Sequence, residues 1–207
     1  HGVNVMDDLY RIGGTGSLIR YLIEEGILDG DCLTITGKSL KDNNQDMPSL
    51  FTDTSNHEVV FPLENPFKKT SHINILYGNL APEGCVSKIY SEDTVFSGKA
   101  IVFDTEEEML QSLHQGNITE EHFVILRYQG ESIGCPEMLT PTSALVGYFD
   151  ARNQSDSIPP FATDGRFSGG STGILVAHLP DAYKQDSITA VIENDDIIQI
   201  NLNDNKI

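Results

Sequence analysis

A barrel-like α+β domain is the fold class that the sequence predicts, on three observations. Short strand-like runs outnumber helical patterns. Only two segments carry a clear apolar stripe at helical spacing. The connections are of mixed length rather than the even rhythm of a βαβ series. At 207 residues the chain has the length of one domain, or of one domain with a short arm.

The first helix is predicted to begin at Ser17, before LIRYLIEEG. Leu18, Ile19, Leu22 and Ile23 line one side, and Gly26 can take the left-handed stop. The second is predicted after Thr105, which pairs with Glu108 in a capping box. Met109, Leu110 and Leu113 form its stripe, and Gly116 ends it. Strands are expected at Leu33 to Thr36, His72 to Tyr77, Ala100 to Phe103, Phe123 to Tyr128, Thr189 to Ile192 and Ile197 to Leu202. The run Glu193-Asn194-Asp195-Asp196 has turn chemistry, so the last two strands are expected to form an antiparallel hairpin. Two polar stretches, Lys41 to His57 and Asp150 to Pro160, read as loops.

Composition narrows the function classes. Thirteen Lys and Arg against 31 Asp and Glu give a net charge of −18, which argues against nucleic acid, because phosphate-backbone affinity comes largely from cationic side chains releasing counterions. No run approaches the ~18 apolar residues of a membrane helix, so no membrane partner is expected. The three cysteines, Cys32, Cys85 and Cys135, are widely spaced without a CxxC pair. That fits a reducing compartment, cytoplasmic or an organelle matrix, and gives no self-contained metal or cluster site.

Residues 163–173, TDGRFSGGSTG, form the densest candidate for chemistry: four glycines around hydroxyls, one carboxylate and one guanidinium. Glycines let successive N–H groups converge on one spot, a concavity for an anion or a developing oxyanion. Ser168 sits within it, and a serine hydroxyl becomes reactive only beside a base, a metal or several fixed donors. On spacing alone the same run is equally a tight turn whose glycines permit positive φ, with Asp164 and Arg166 as a local ion pair. No phosphate-loop lysine is present, and the earlier Gly13-Gly14-Thr15-Gly16-Ser17 shapes a helix start. A second candidate is Glu137, a carboxylate between Pro136 and Pro141. A restrained carboxylate suits a hard divalent cation, although one alone cannot hold it, and a surface glutamate in a proline-rich turn is the plainer reading. His178, within an apolar run, is expected to be a buried core histidine.

Taken together, DGRFSGGSTG, PEMLTPTSALVG, SHINILYGNLAPEGCVSKI and DLYRIGGTGSLIRYLIEEGILDGDCLTITGKSL resemble, in this order, the dihydroxy-acid dehydratase and 6-phosphogluconate dehydratase family of iron–sulfur dehydratases. YGNLAPEG favours the dihydroxy-acid branch. The likeness is to the family's C-terminal part, and implies a swivelling β/β/α barrel-like domain over 41–207, with 1–40 as a helical arm and strand resembling the end of the larger domain. It implies dehydration of a 2,3-dihydroxy acid to a 2-keto acid in branched-chain amino-acid synthesis, with Mg²⁺ and an iron–sulfur cluster as cofactors. Ser168 matches the family serine that removes the C2 proton, Glu137 the carboxylate that this domain lends to Mg²⁺, and Gly169 and Gly170 the donors that steady the serine oxygen and bind substrate. The cluster cysteines, the modified lysine and the other Mg²⁺ carboxylates have no counterpart here. The chain is therefore expected to need an upstream cluster-bearing domain, to be silent alone, and to form a homodimer within the full enzyme. Residues 149–160 read as an inserted surface excursion. The alternative is a non-catalytic module that uses the same barrel to bind an anion or a protein.

Overall fold

The computed structural model describes residues 3–51, 58–89 and 95–207. Residues 52–57 of the first predicted loop lie outside these. The chain divides into two compact units, 1–69 and 70–207.

In the first unit, α1 (Met6–Arg11) is followed by α2 (Gly14–Glu24) and α3 (Leu40–Asn44). Helix α2 starts one turn before the predicted Ser17. Gly13, at φ +116°, breaks the chain direction, and Ser17 packs where a Cβ on that residue would stand, so it is buried inside the helix rather than capping it. The predicted stop holds: Gly26 is left-handed, and its N–H donates to Ile23 O at 3.0 Å. No strand forms at Leu33 to Thr36. Thr34 N–H donates to Lys38 O at 2.9 Å and Leu33 bridges Ser39, making a turn in which Leu33 and Ile35 are exposed. Alternating apolar residues do not become a strand without a face to pack on.

The second unit is an α+β fold built on one curled, mixed seven-stranded sheet of order β1-β2-β6-β5-β4-β3-β7. The strands are β1 (Ile73–Leu76), β2 (Cys85–Ile89), β3 (Val95–Phe103), β4 (His122–Leu126), β5 (Phe161–Thr163), β6 (Ile174–Ala177) and β7 (Ile197–Asn201). β3, β4, β5 and β6 run parallel to one another, while β2 pairs antiparallel with β6, β1 with β2, and β7 with β3. Helix α4 (Glu106–His114) links β3 to β4, and α5 (Leu139–Asp150) links β4 to β5. Two βαβ crossovers thus sit inside a sheet that the sequence suggested lacked them.

Strand periodicity divides the core in two. Phe123 and Ile125 of β4 join Ala100, Ala162, Val176, Ile198 and Ile200 on one face. Val124 and Leu126 join Phe161 and Leu175 on the other, beneath Met109 and Leu113 of α4 and Leu145 and Phe149 of α5. Both faces of the parallel strands are covered, which is why β4 is a continuous apolar run. Helix α4 carries the predicted capping box: Thr105 Oγ1 accepts from Glu108 N, and Glu108 Oε2 from Thr105 N, both at 3.2 Å.

Three expectations fail in this unit. Thr189 to Ile192 is not a strand: Ile188–Val191 is a 3₁₀ turn, held where Arg127 Nη1 donates to Ala190 O at 2.7 Å and Ile192 O at 3.1 Å. The C-terminal hairpin is therefore absent, and β7 pairs with β3. The 193–196 turn chemistry is real but docks on β3, with Val102 N–H donating to Asn194 Oδ1 at 2.8 Å. The excursion ahead of the serine loop begins later than expected, because Phe149 is core; residues 151–156 are exposed, and Pro159 and Pro160 are buried as they lead into β5.

Candidate functional site

The stretch between Gly134 and Ser143 is more than a proline-rich turn. Residues 134–138 turn, and Leu139 opens α5. Pro141 falls in the first helical turn, where a missing N–H costs nothing. Glu137 therefore precedes a helix N-terminus, a position favourable to a carboxylate. Its side chain is exposed, while Met138 beside it is fully buried.

Residues 164–173 connect the parallel neighbours β5 and β6 without a helix. Asp164, at the start, is buried. Its Oδ1 accepts from Gln129 N and its Oδ2 from Ala182 N, both at 2.8 Å, which ties together the segments that follow β4, β5 and β6. Burial pushes this carboxyl above the usual range, and the two N–H bonds pull it partly back. Asp164 is thus engaged with backbone, not with Arg166 as the ion-pair reading supposed; Arg166 is exposed.

Gly165 is glycine for want of room: a Cβ would stand 3.0 Å from Gln129 O and 3.1 Å from Pro136 O. That close approach lets the next residue pair with the other candidate strip. Arg166 forms an isolated parallel bridge with Glu137, Arg166 N donating to Pro136 O at 3.2 Å and Met138 N to Arg166 O at 2.9 Å. Two predicted site segments, 29 positions apart at the bridged pair Glu137 and Arg166, are brought edge to edge. Phe167 then packs edge-on against Phe161 at 5.1 Å between centroids, anchoring the loop on the helix-bearing face.

Ser168 follows, half-buried. Its Oγ accepts from Gly170 N at 3.2 Å and lies 3.4 Å from Ser171 Oγ. Gly169 and Gly170 are exposed and have negative or extended φ; of the loop's glycines only Gly173, at +121°, is left-handed. Positive φ therefore does not explain the pair. A Cβ on Gly169 would meet nothing within 4 Å, and one on Gly170 only Ser168 Oγ at 3.8 Å, so the absent side chains leave the hydroxyl open to an approaching molecule.

One participant escaped the sequence reading. Lys88 on β2 sends its ammonium to Ser168 O at 3.2 Å, Gly169 O at 2.6 Å and Ser171 O at 2.7 Å. Its signal was a lone cation in CVSKI, on the face opposite buried Cys85, Ser87 and Ile89. Burial holds its pKa below the ordinary lysine value.

His178 is not a core residue. It is exposed, at φ +57°, with Nδ1 3.7 Å from Cys135 Sγ; Cys135 is itself left-handed at +49°. With Tyr128 at +65°, three of the seven non-glycine left-handed residues among the described residues lie in the segments around this site, where strained backbone commonly concentrates. Among the described residues, no three His, Cys, Asp or Glu side chains gather into a metal-holding group. Cys32 is exposed in the first unit; in the second, Cys85 is buried in the sheet and Cys135 is half-buried beside His178.

Comparison with known proteins accords with the motifs. The family model described as dihydroxy-acid/6-phosphogluconate dehydratase C-terminal matches residues 58–207. The chain is 43 % identical over 210 residues to the dihydroxy-acid dehydratase of Francisella tularensis subsp. novicida, covering all of this chain and 36 % of that protein. It is 42 % identical to the chloroplastic dihydroxy-acid dehydratase of Arabidopsis thaliana, covering 33 % of it, and 40 % to that of Lactococcus lactis subsp. cremoris, covering 35 %. The chain spans about a third of the length of these relatives. A glycine-framed serine loop joined by main chain at Arg166 to the segment of Glu137, and a family match over most of the residues, lead to one conclusion: the chain belongs to the dihydroxy-acid/6-phosphogluconate dehydratase family, and 58–207 matches its C-terminal domain.

Proposed function

We propose that this chain completes the active site of a hydro-lyase that converts a 2,3-dihydroxy acid to a 2-keto acid and water, in branched-chain amino-acid synthesis. The observation that carries this reading is the bridge between Glu137 and Arg166, which sets the carboxylate segment beside the loop of Ser168. As an alkoxide, the Ser168 oxygen takes the C2 proton while the C3 hydroxyl leaves as hydroxide; Ser168 returns that proton to the hydroxide to give water, and the enol tautomerises, its hydroxyl proton passing by way of solvent to C3, to the keto acid with no net redox change. Gly170 N–H, already donating to Ser168 Oγ, offsets negative charge as that oxygen prepares to accept the proton, and Gly169 and Gly170 give substrate close access to the backbone.

Glu137 fits Mg²⁺ as one ligand of a larger set: a hard oxygen donor, exposed and fixed by its main chain. Held there with ligands from elsewhere, the ion would supply Lewis acidity to the substrate, which would acidify the C2 proton. The residues present do not fit an iron–sulfur cluster, since no group of three or more His, Cys, Asp or Glu exists among the described residues. The cluster therefore belongs to a separate, cluster-bearing part, with which this chain acts within a homodimeric enzyme in the cytoplasm or an organelle matrix. No helix among the described residues is long and apolar enough to cross a membrane.

The test is reconstitution. The chain alone, with Mg²⁺ and cluster-assembly reagents, yields no keto acid. Joined to the cluster-bearing part of a dihydroxy-acid dehydratase it turns over, and Ser168→Ala in that assembly lowers kcat by on the order of a hundredfold or more with folding intact. Near-normal turnover by Ser168→Ala overturns the proton-transfer role. Retained binding of small carboxylates without any turnover favours the anion-binding alternative.

A further inference from the structure

The three bonds from Lys88 have a geometric consequence. A trans peptide unit is planar, with the C=O of one residue and the N–H of the next pointing in opposite directions, and no described peptide here is cis. Lys88 Nζ draws in the carbonyls of Ser168 and Gly169, so the N–H groups of Gly169 and Gly170 must point to the other side of the loop. Gly170 N–H does so, donating to Ser168 Oγ at 3.2 Å. The third bond, to Ser171 O, closes the turn, in which Ser171 N–H also donates to Ser168 O at 3.2 Å.

Neither glycine needs positive φ, and a Cβ on either would meet no side chain within 4 Å other than Ser168 itself. A Gly-Gly segment of this kind is conformationally free unless held from outside. The holder comes from β2, where Lys88 stands directly opposite Leu175 of β6 in the sheet register, on the face that the loop crosses. A cation at the carbonyl end of a peptide unit also polarises it, strengthening its N–H as a donor. Partial desolvation of the ammonium is the electrostatic cost of this placement.

We infer that Lys88 is a positioning residue for the Ser168 loop: by gathering the carbonyls of Ser168, Gly169 and Ser171 it turns the amides of Gly169 and Gly170 to the opposite side of the loop, that of Gly170 onto the serine oxygen. This rests on the reading of Ser168 as the group that accepts the C2 proton. The bonds from Lys88 described above go to main-chain carbonyls and not to Ser168 Oγ, so it acts on that oxygen through two peptide units.

Two measurements test it. In the 207-residue chain, with no metal, the amide proton resonances of Gly169 and Gly170 move upfield in Lys88→Met and stay near wild type in Lys88→Arg, which keeps the cation. In the assembled enzyme, Lys88→Met lowers kcat on the order of tenfold to a hundredfold, leaves KM within about twofold, and moves the rise of activity with pH upward by about one unit. Lys88→Arg leaves that rise near its wild-type position. A purely structural staple would reduce the active fraction without moving the pH profile. Unmoved glycine resonances in Lys88→Met overturn the clamp whatever Ser168 does, and an unmoved pH profile overturns its catalytic consequence. If the resonances move but Ser168→Ala turns over normally, the fault lies with the Ser168 reading, and the positioning role falls with it.

Discussion

The main chain of Glu137 is joined to that of Arg166 by two hydrogen bonds, of 2.9 and 3.2 Å, formed by the residues on either side of Glu137 and by Arg166 itself. Because the bridge uses backbone only, the side chain of Glu137 is left outside it, exposed at the foot of α5. Position and chemistry at this residue are thus separable by mutation.

Glu137→Gln removes the charge without disturbing the bridge. In the assembled enzyme, the Mg²⁺ concentration for half-maximal activity should rise at least on the order of tenfold, the scale found even for the outer partners of metal ligands. The melting temperature should be unchanged. A Mg²⁺ titration that superimposes on wild type would exclude Glu137 from the metal set.

Asp164→Asn should destabilise the second unit by about 1–3 kcal/mol, because an amide offers one acceptor where Gln129 N–H and Ala182 N–H each require one. The pH dependence has a definite sign. Burial raises the carboxyl above its ordinary 3.8, so the folded state holds the proton more tightly than the unfolded state. The associated stabilisation is complete below that ordinary value and disappears as pH rises through the folded-state pKa. Urea unfolding across this interval should show a fall in wild type that is missing from the variant.

Thiol labelling should separate Cys32 from Cys85. Burial pushes Cys85 up to about 12, and iodoacetamide at pH 8 should reach it only after unfolding. Cys32 is exposed and should label in the native protein, more slowly than a free thiol, since its hydrogen bond with Asp29 raises its pKa. Mass spectrometry of timed samples reads the order directly, and early modification of Cys85 would contradict its place in the sheet.

Thr105→Ala removes the N-cap acceptor of α4 and should cost about 1 kcal/mol in global stability. Thr105→Asn or Thr105→Ser should recover most of it. Denaturant midpoints at constant slope provide the measurement.

The parts of this structure legible in the sequence were those governed by neighbouring residues. Thr105 and Glu108 specify a cap because both partners lie within one turn, and Gly26 stops α2 for a similarly local reason. Ser168 and Glu137 could be singled out by the residues around them, and the quoted motifs pointed to the family that the comparison found. Ile188–Val191 misled, since β-branched residues suit a strand, while Arg127, some sixty positions earlier, supplies the bonds that hold a 3₁₀ turn. His178 misled in the same way: its apolar neighbours are buried in β6, but the chain leaves the sheet at His178 in a left-handed conformation and turns its ring outward.

By itself the sequence determined the mixed α+β class, the cap of α4 and the candidate residues, because periodicity, capping and loop composition are short-range properties. Tertiary structure alone decided that the segments of Glu137 and Ser168 meet, that Asp164 ties three loops rather than pairing with Arg166, and that Lys88 lies under the serine loop. Those relationships depend on strand order and on cross-strand register, which are set by burying both faces of one sheet, a condition that no local window of residues contains.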